Sequence, residues 1–188
     1  YSTTARSSSK PTESTPMTAE ELALTSEHDH LAAEANVVAN LIEALASSQS
    51  SVAADEAAAA LFACTPHNNQ KASIARELTK RGHPGWSGIA DTAERMQGQE
   101  RDVVVICLGF LSSELVAREI DFLFSKQRLN VAISRAKKSC IVIYTDAMVA
   151  LNPAVIGNSE ANVAYEHLLA FIAASEALGA KCDVAVEF

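Results

Sequence analysis

Residues 103–108 form an unbroken apolar run rich in β-branched side chains, and this run limits what the chain can fold into. A strand that is apolar on both faces has to be covered on both, which is typical of a parallel sheet between layers of helices. Residues 140–144 form a second run of the same kind. We therefore predict an α/β fold, with a mostly parallel sheet flanked by helices, in which both runs are interior strands.

The remaining periodicities complete an alternation of strands and helices, which indicates parallel crossover units. Helices are predicted over residues 27–46, 68–81, 115–124, 128–137 and 160–178, and shorter strands over residues 61–64 and 89–93. Residues 1–26 are rich in Ser and Thr and have almost no large apolar side chains. They are predicted to be a disordered linker or tail, which leaves residues 27–188 as one domain. Because the sequence begins with Tyr1 rather than Met, we expect it to belong to a longer protein.

The formal net charge of -8 argues against a generally basic nucleic-acid binder, although the basic residues are clustered. The clusters are Arg95 with Arg101, and Lys126, Arg128, Arg135, Lys137 and Lys138. The four cysteines contain no C-x-x-C pair and are predicted to be buried free thiols, so neither a disulfide nor a metal site is expected. No apolar run approaches the roughly 20 residues that a membrane span needs. We expect an intracellular protein of the nucleus or cytoplasm.

Two segments carry more polar chemistry than a connecting loop needs. Residues 91–102 place Gln, Glu, Arg and Asp around Gly98 directly before the buried run, and Gly98 permits a tight turn or a close backbone approach. Residues 128–137 have apolar side chains at helical spacing, which predicts one buried face. That face comprises Leu129, Ala132, Ile133 and Ala136. Arg128 and Arg135 lie seven positions apart, so on a helix they would form an anion clamp. An ordinary charged loop and a pair of solvated arginines are the alternatives.

Together these segments resemble a known family. Gln97-Gly-Gln-Glu-Arg-Asp102 resembles motif V of superfamily-one helicases, and residues 128–137, Arg-Leu-Asn-Val-Ala-Ile-Ser-Arg-Ala-Lys, resemble motif VI. Upstream, Thr65-Pro-His-Asn-Asn-Gln70 is similar to motif IV. The nearest branch contains the nonsense-mediated-decay and Okazaki-fragment-processing helicases, and the resemblance covers residues 27–178. It implies a RecA-like fold and the second motor domain of a helicase.

The resemblance also implies roles for single residues. Arg135 would be the arginine finger that reaches the γ-phosphate of ATP held by the first motor domain. Glu100 would touch the ribose or the nucleotide's edge. The other residues implied on the nucleotide side are Gln97, Gly98, Arg128, Gln70 and Lys71. Many family members have Arg at the position of Lys71. Lysine keeps the charge of arginine but loses its bidentate fork. The backbone of single-stranded DNA or RNA would contact Thr65 and Thr92. Trp86 would stack on a base. Alternatively, Trp86 packs in its own loop.

No G-x-x-x-x-G-K-[ST] motif is present, and no apolar strand ends in the acidic pair that would hold Mg²⁺. ATP and Mg²⁺ are therefore expected to bind only together with an N-terminal P-loop motor domain, which would be a partner of this chain. The prediction is the C-terminal motor half of an ATP-dependent DNA or RNA helicase or translocase, inactive alone. The alternatives are a non-catalytic nucleic-acid- or protein-binding module derived from a helicase half, and a different P-loop-family protein such as a nuclease-linked ATPase half.

Overall fold

The computed structural model describes residues 19–48, 52–96, 98–109, 119, 123, 125–151, 156 and 159–184. Helices and strands alternate through these residues, as the sequence predicts. The helices are α1 (Ala19–Ser48), α2 (Ala54–Ala59), α3 (Asn68–Lys80), α4 (Lys126–Ile133), α5 (Asp146–Val149) and α6 (Ser159–Ala177). The strands are β1 (Leu61–Thr65), β2 (Ala90–Thr92), β3 (Arg101–Cys107) and β4 (Ala136–Ile143), and short 3₁₀ helices cover Pro84–Trp86 and Ala93–Met96.

The strands form one sheet in the order β2-β1-β3-β4, and every pairing between them is parallel. The predicted parallel α/β fold is therefore confirmed, with β3 in the interior. The prediction for β4 was wrong, because β4 lies at the edge of the described sheet and its side chains are exposed or half-buried. Its first half carries Lys137 and Lys138, and charged side chains are a common means of protecting a strand edge.

Each face of the sheet has its own hydrophobic core, as the doubly apolar run of β3 requires. One core joins Val105 and Cys107 of β3 to buried residues of α1 and α3. The other joins Val104 and Ile106 to α4 and α6 and to Ala93–Met96. Because successive side chains of a strand point to opposite faces, a single continuous apolar run serves both cores.

The first helix begins at Ala19, so the predicted boundary of the tail at residue 26 was placed too late. Residues 19–24 are Ala, Glu and Leu, which are strong helix formers, and they lengthen the helix although they add little to its apolar pattern. Residues 1–18 lie outside the described residues, as does most of the helix predicted over residues 115–124. The helices predicted over residues 68–81 and 160–178 are confirmed by α3 and α6.

The helix predicted through Lys137 ends instead at Ile133. Ser134 and Arg135 form a turn, and Ala136 already pairs with Arg101 as the first residue of β4. The spacing was misleading because Ala136 is partly buried as a residue of β4, not as a residue of a helix. Ile133 is accordingly 44% exposed instead of buried.

Candidate functional site

The turns of the two motif-like segments meet at the amino-terminal edge of β3 and β4. The backbone N–H of Arg101 donates a 3.0 Å hydrogen bond to the carbonyl of Arg135. Gly98 and Glu100 are exposed just before this contact, whereas Gln97 lies outside the described residues. Gly98 has a φ of +79°, a conformation that other residues adopt only with strain. The structure therefore brings Gly98, Glu100 and Arg135 to one edge.

The guanidinium of Arg135 is only partly satisfied. Its Nε atom is buried, and no hydrogen-bond partner for it occurs among the described residues. A buried donor left without an acceptor costs on the order of 1–3 kcal/mol. Such a group is poised to bind an acceptor that the domain itself does not supply, and its positive charge favours an anion.

Glu100 is more than half exposed, and its nearest cation is Lys137 Nζ at 3.8 Å. A pair of this length between exposed groups holds neither side chain firmly. The carboxylate is therefore free to accept hydrogen bonds from a ligand bound at this edge.

Arg128 does not form a clamp with Arg135, contrary to the sequence prediction. Its Nε donates a 2.7 Å hydrogen bond to Glu94, and it borders a small cavity with Thr65 and Leu108 at the carboxyl-terminal ends of β1 and β3. The two arginines thus lie toward opposite edges of the sheet because α4 runs between them and stops before Arg135. Arg128 instead fastens α4 to the 3₁₀ helix that carries Glu94.

The carboxylate of Glu94 is held ionised by several donors. A backbone N–H hydrogen bond, a hydrogen bond from Thr92 and the nearby charge of Arg128 hold the pKa of Glu94 below its usual value, against the effect of desolvation. The hydroxyl of Thr92, a predicted nucleic-acid contact, is therefore already engaged within the domain. The Glu94–Arg128 pair links the motif V-like and motif VI-like segments into one unit.

Gln70, a predicted nucleotide contact, is 2% exposed, and both the oxygen and the nitrogen of its side-chain amide have hydrogen-bond partners inside the domain. Its Oε1 accepts from the backbone N–H of His67 at 3.1 Å, and its Nε2 donates to Glu34 at 2.9 Å. The amide therefore caps the start of α3 and ties it to α1. The neighbouring Lys71 is half-buried and forms a 2.8 Å ion pair with Asp91 at the end of β2.

Glu34 was missed by sequence reasoning, although it is only 1% exposed. Desolvation raises its pKa to about 7, while hydrogen bonds from Gln70 and from the backbone of Gly109 act in the opposite direction. Its second oxygen, Oε1, has no hydrogen-bond partner in the described part of the chain. The signal was present, because Glu34 falls three positions after Leu31 and four before Val38, on the apolar stripe of α1.

Two of the three predicted nucleic-acid contacts are inaccessible. Thr65 is 1% exposed, and its hydroxyl donates to the carbonyl of His67 at 3.3 Å. Trp86 is 5% exposed, stacks on the His83 ring and donates from Nε1 to Asp55 at 2.7 Å. Trp86 therefore packs in its own loop, which was the alternative interpretation.

The cysteines are free thiols, as predicted. Cys64 and Cys107 are buried and Cys140 is half-buried, but Cys182 is exposed, contrary to the expectation. Burial raises the pKa of Cys64 to about 12 and that of Cys140 to about 11, which makes these thiols unreactive at neutral pH. Within the part of the chain that the structure describes, no cluster of His, Cys, Asp and Glu could hold a metal ion. Nor is any described helix both long and apolar enough to cross a membrane.

The sequence of this chain is similar to those of known proteins. The model of a family described as "AAA domain" matches residues 10–147. The chain is 38% identical over 79 residues to DNA polymerase alpha-associated DNA helicase A of Schizosaccharomyces pombe, which is 42% of this chain and 11% of that protein. It is 33% and 34% identical over 79 residues to probable helicase senataxin of Mus musculus and Homo sapiens, covering 42% of this chain and 3% of each relative. The matched segment is thus a small part of each relative's length. No solved structure matches the chain significantly.

Proposed function

This chain belongs to the AAA domain family that forms the C-terminal half of superfamily-one helicases, and on that premise we propose that it supplies an arginine finger to an ATP-driven motor. The motor acts on single-stranded DNA or RNA as a helicase or translocase. ATP and Mg²⁺ are held mainly by a separate P-loop domain, which packs against the amino-terminal edge of β3 and β4. We place this motor inside the cell, in the nucleus or the cytoplasm.

The observation that carries the proposal is the buried, unpaired Nε of Arg135. A folded domain rarely leaves a buried cationic donor without an acceptor unless the acceptor comes from elsewhere. The γ-phosphate of a nucleotide held by the facing domain fits this requirement in charge and in hydrogen-bonding chemistry. Arg135 would then stabilise negative charge that develops during phosphoryl transfer.

The neighbouring residues support this assignment. Glu100 presents an exposed carboxylate that can accept from ribose hydroxyls, and Gly98 allows the chain to turn with its backbone open to a ligand. Arg128 acts indirectly, because its ion pair with Glu94 holds α4 against the motif V-like segment. Gln70 and Lys71 also act indirectly, since the first caps α3 and the second is paired with Asp91.

The purified chain alone is expected to show no ATPase activity above background. Its sequence contains no phosphate-binding loop, and an arginine finger accelerates hydrolysis only of a nucleotide that another site holds. Phosphate release measured with and without oligonucleotide tests this, with Arg135→Ala as the control for contaminating enzymes. Turnover that survives purification and disappears in Arg135→Ala would reveal a nucleotide site within the chain.

The chain is also expected to bind single strands weakly, without sequence preference and with strong salt dependence. Its net charge of -8 repels a polyanion overall, so binding depends on a local cluster of basic residues such as Arg95 with Arg101. Each phosphate contacted lowers the slope of log affinity against log salt by about 0.7 for single strands. Titration at several salt concentrations measures this slope, and a slope of zero would argue against any backbone contact by this domain.

A further inference from the structure

A polar groove at the sheet edge exposes charged side chains that a strand could contact, whereas Thr65 and Trp86 are buried. The groove has a volume of about 280 Å³ and lies where β1 and β2 begin. We name it the amino-edge groove and define it by its polar and glycine rim. These residues are Asp55, Gly85, Gly88, Asp91, Arg95, Gln99 and Arg101, and the apolar part of the lining includes the buried Trp86.

The positive charges of Arg95 and Arg101 in the amino-edge groove are not fully neutralised by the described carboxylates. The side chain of Arg95 is 72% exposed, and its only ion pair within the described ranges is a 3.8 Å contact to Asp91. Asp91 is already neutralised by Lys71 at 2.8 Å. Arg101 donates to the carbonyl of Glu100 at 2.9 Å and to Oε1 of Gln99 at 3.1 Å, and no carboxylate pairs with it in the described structure. Both guanidinium groups therefore retain donors for an anion.

The groove also contains an acceptor and open backbone. Asp55 is fixed by the hydrogen bond from Trp86 Nε1 at 2.7 Å and presents acceptor oxygens. Gly85 and Gly88 have no atom within 4 Å of where a Cβ would stand, so the backbone here can be approached closely. A ligand suited to the groove combines an anionic group with a hydrogen-bond donor a few ångströms away.

We propose that the amino-edge groove binds one nucleotide unit of a single nucleic-acid strand, with the phosphate on Arg95 and Arg101 and the sugar or base near Asp55. This inference rests on the proposed function, because it supplies the strand contact that Thr65 and Trp86 cannot make. Arginine, glutamine and open backbone are the groups that usually contact the phosphate chain without reading sequence. An acidic protein segment would also satisfy the arginines, but only a nucleotide carries hydroxyl and base N–H donors for Asp55 in the same unit as its phosphate.

The test compares substitutions that change the charge of the groove with matched substitutions that do not. Gly88→Asp places a carboxylate at the rim, and Gly88→Asn is its uncharged match; the open space at Gly88 accommodates either. Arg95→Ala with Arg101→Ala removes the two cations, and Lys80→Ala with Lys138→Ala removes the same charge from exposed positions outside the groove. Binding of fluorescent oligothymidylate and oligouridylate, each about 12 nucleotides long, is measured by anisotropy after thermal melts confirm folding.

The arginine double variant is expected to weaken binding about tenfold at low salt and to make the slope of log affinity against log salt shallower by about 0.7, which corresponds to the one phosphate that both arginines hold. Gly88→Asp is expected to weaken binding several-fold more than Gly88→Asn, and the lysine pair is expected to change it less than twofold. Equal losses in the arginine and lysine pairs would overturn the groove as a site. So would equal affinities of the two Gly88 variants, or no strand binding by the unmodified chain.

Competition distinguishes the source of the phosphate. Adenosine monophosphate and inorganic phosphate are expected to displace the strand only at millimolar concentrations, because one unit contributes a small part of the binding. Displacement by the mononucleotide at micromolar concentration would show a free-nucleotide site and overturn the strand assignment. The proposed motor function is tested separately, by the effect of Arg135→Ala on ATP turnover.

Discussion

Arg135→Ala is expected to lower ATP turnover about 10³-fold in a motor that contains this domain together with its P-loop domain. Arginine fingers contribute about 10³–10⁵ to the rate of phosphoryl transfer, and a 10³-fold loss corresponds to about 4 kcal/mol of transition-state stabilisation. The measurement is steady-state ATPase in the presence of a single strand. Arg135→Lys is expected to lose most of the activity as well, because a point charge on a flexible stem does not reproduce the planar fork.

The same substitution is expected to leave the fold intact. Arg135 lies in the turn after α4, and the side chains that pack at this position are Leu129 and Ala132. Removing a buried Nε that has no acceptor also removes its desolvation cost, so Arg135→Ala should melt at the same temperature as the unmodified chain or slightly above it. This combination of lost activity and retained stability is typical of a functional residue.

Lys138→Ala is the matched control, because Lys138 is an exposed cation close by in sequence, with its own partner Asp102. It is expected to keep both turnover and stability. A low melting temperature in Arg135→Ala would identify Arg135 as structural. Normal turnover together with a normal melt would remove the finger assignment and leave the chain as a family member with no assigned part in hydrolysis.

The parallel sheet could be predicted from the sequence because a strand that is buried on both faces has an unbroken run of apolar residues. The apolar run of β3 implied a covered parallel strand, and the structure places helices against both of its faces. The end of α4 could not be predicted in the same way. Ala136 continues the helical spacing of Leu129 and Ala132, and only its pairing with Arg101 shows that the chain has already entered a strand. The spacing of these three residues is compatible with a helix and with a helix followed by a strand, and the pairing with β3 decides between the two.

The candidate site was predicted in part, and the difference follows from which residues have internal partners. Arg135, Glu100 and Gly98 lie at one edge of the sheet because their segments come directly before the adjacent strands β3 and β4, and their contact with a nucleotide stays a prediction. Gln70 was assigned to the nucleotide through the resemblance to motif IV, and Trp86 to a base because an aromatic side chain in a loop can stack on one. Their partners within the domain, Glu34 at 36 positions and Asp55 at 31 positions along the chain, cannot be identified from spacing alone.

The stability of the chain is expected to fall as the pH rises from about 4.5 to about 7, and Glu34 is expected to be the main cause. Desolvation raises the pKa of this buried carboxyl from 4.5 to about 7, so the folded state holds its proton more tightly than the unfolded state. The stabilisation is complete below the unfolded pKa and is lost as the pH rises through the folded pKa. A shift of this size amounts to about 3 kcal/mol.

Glu34→Gln isolates this effect, because the amide has the same shape and does not titrate. Its oxygen can still accept from Gln70, so the link between α1 and α3 is retained in part. The free energy of unfolding, measured by urea titration at several pH values, is expected to decline less steeply in Glu34→Gln than in the unmodified chain between pH 4.5 and 7. Glu56→Gln is the control at an exposed carboxylate of α2, and its curve should run parallel to that of the unmodified chain.

The difference between the Glu34→Gln and unmodified curves removes the contribution of every other titrating group, which both proteins share. A difference that stays constant across the pH range would show that Glu34 titrates normally and is open to water. A difference that grows with pH would instead identify Glu34 as a buried acid that is protonated below pH 7. In that state the carboxyl carries no buried charge, and its Oε2 can still accept from Gln70, which links α1 to the start of α3.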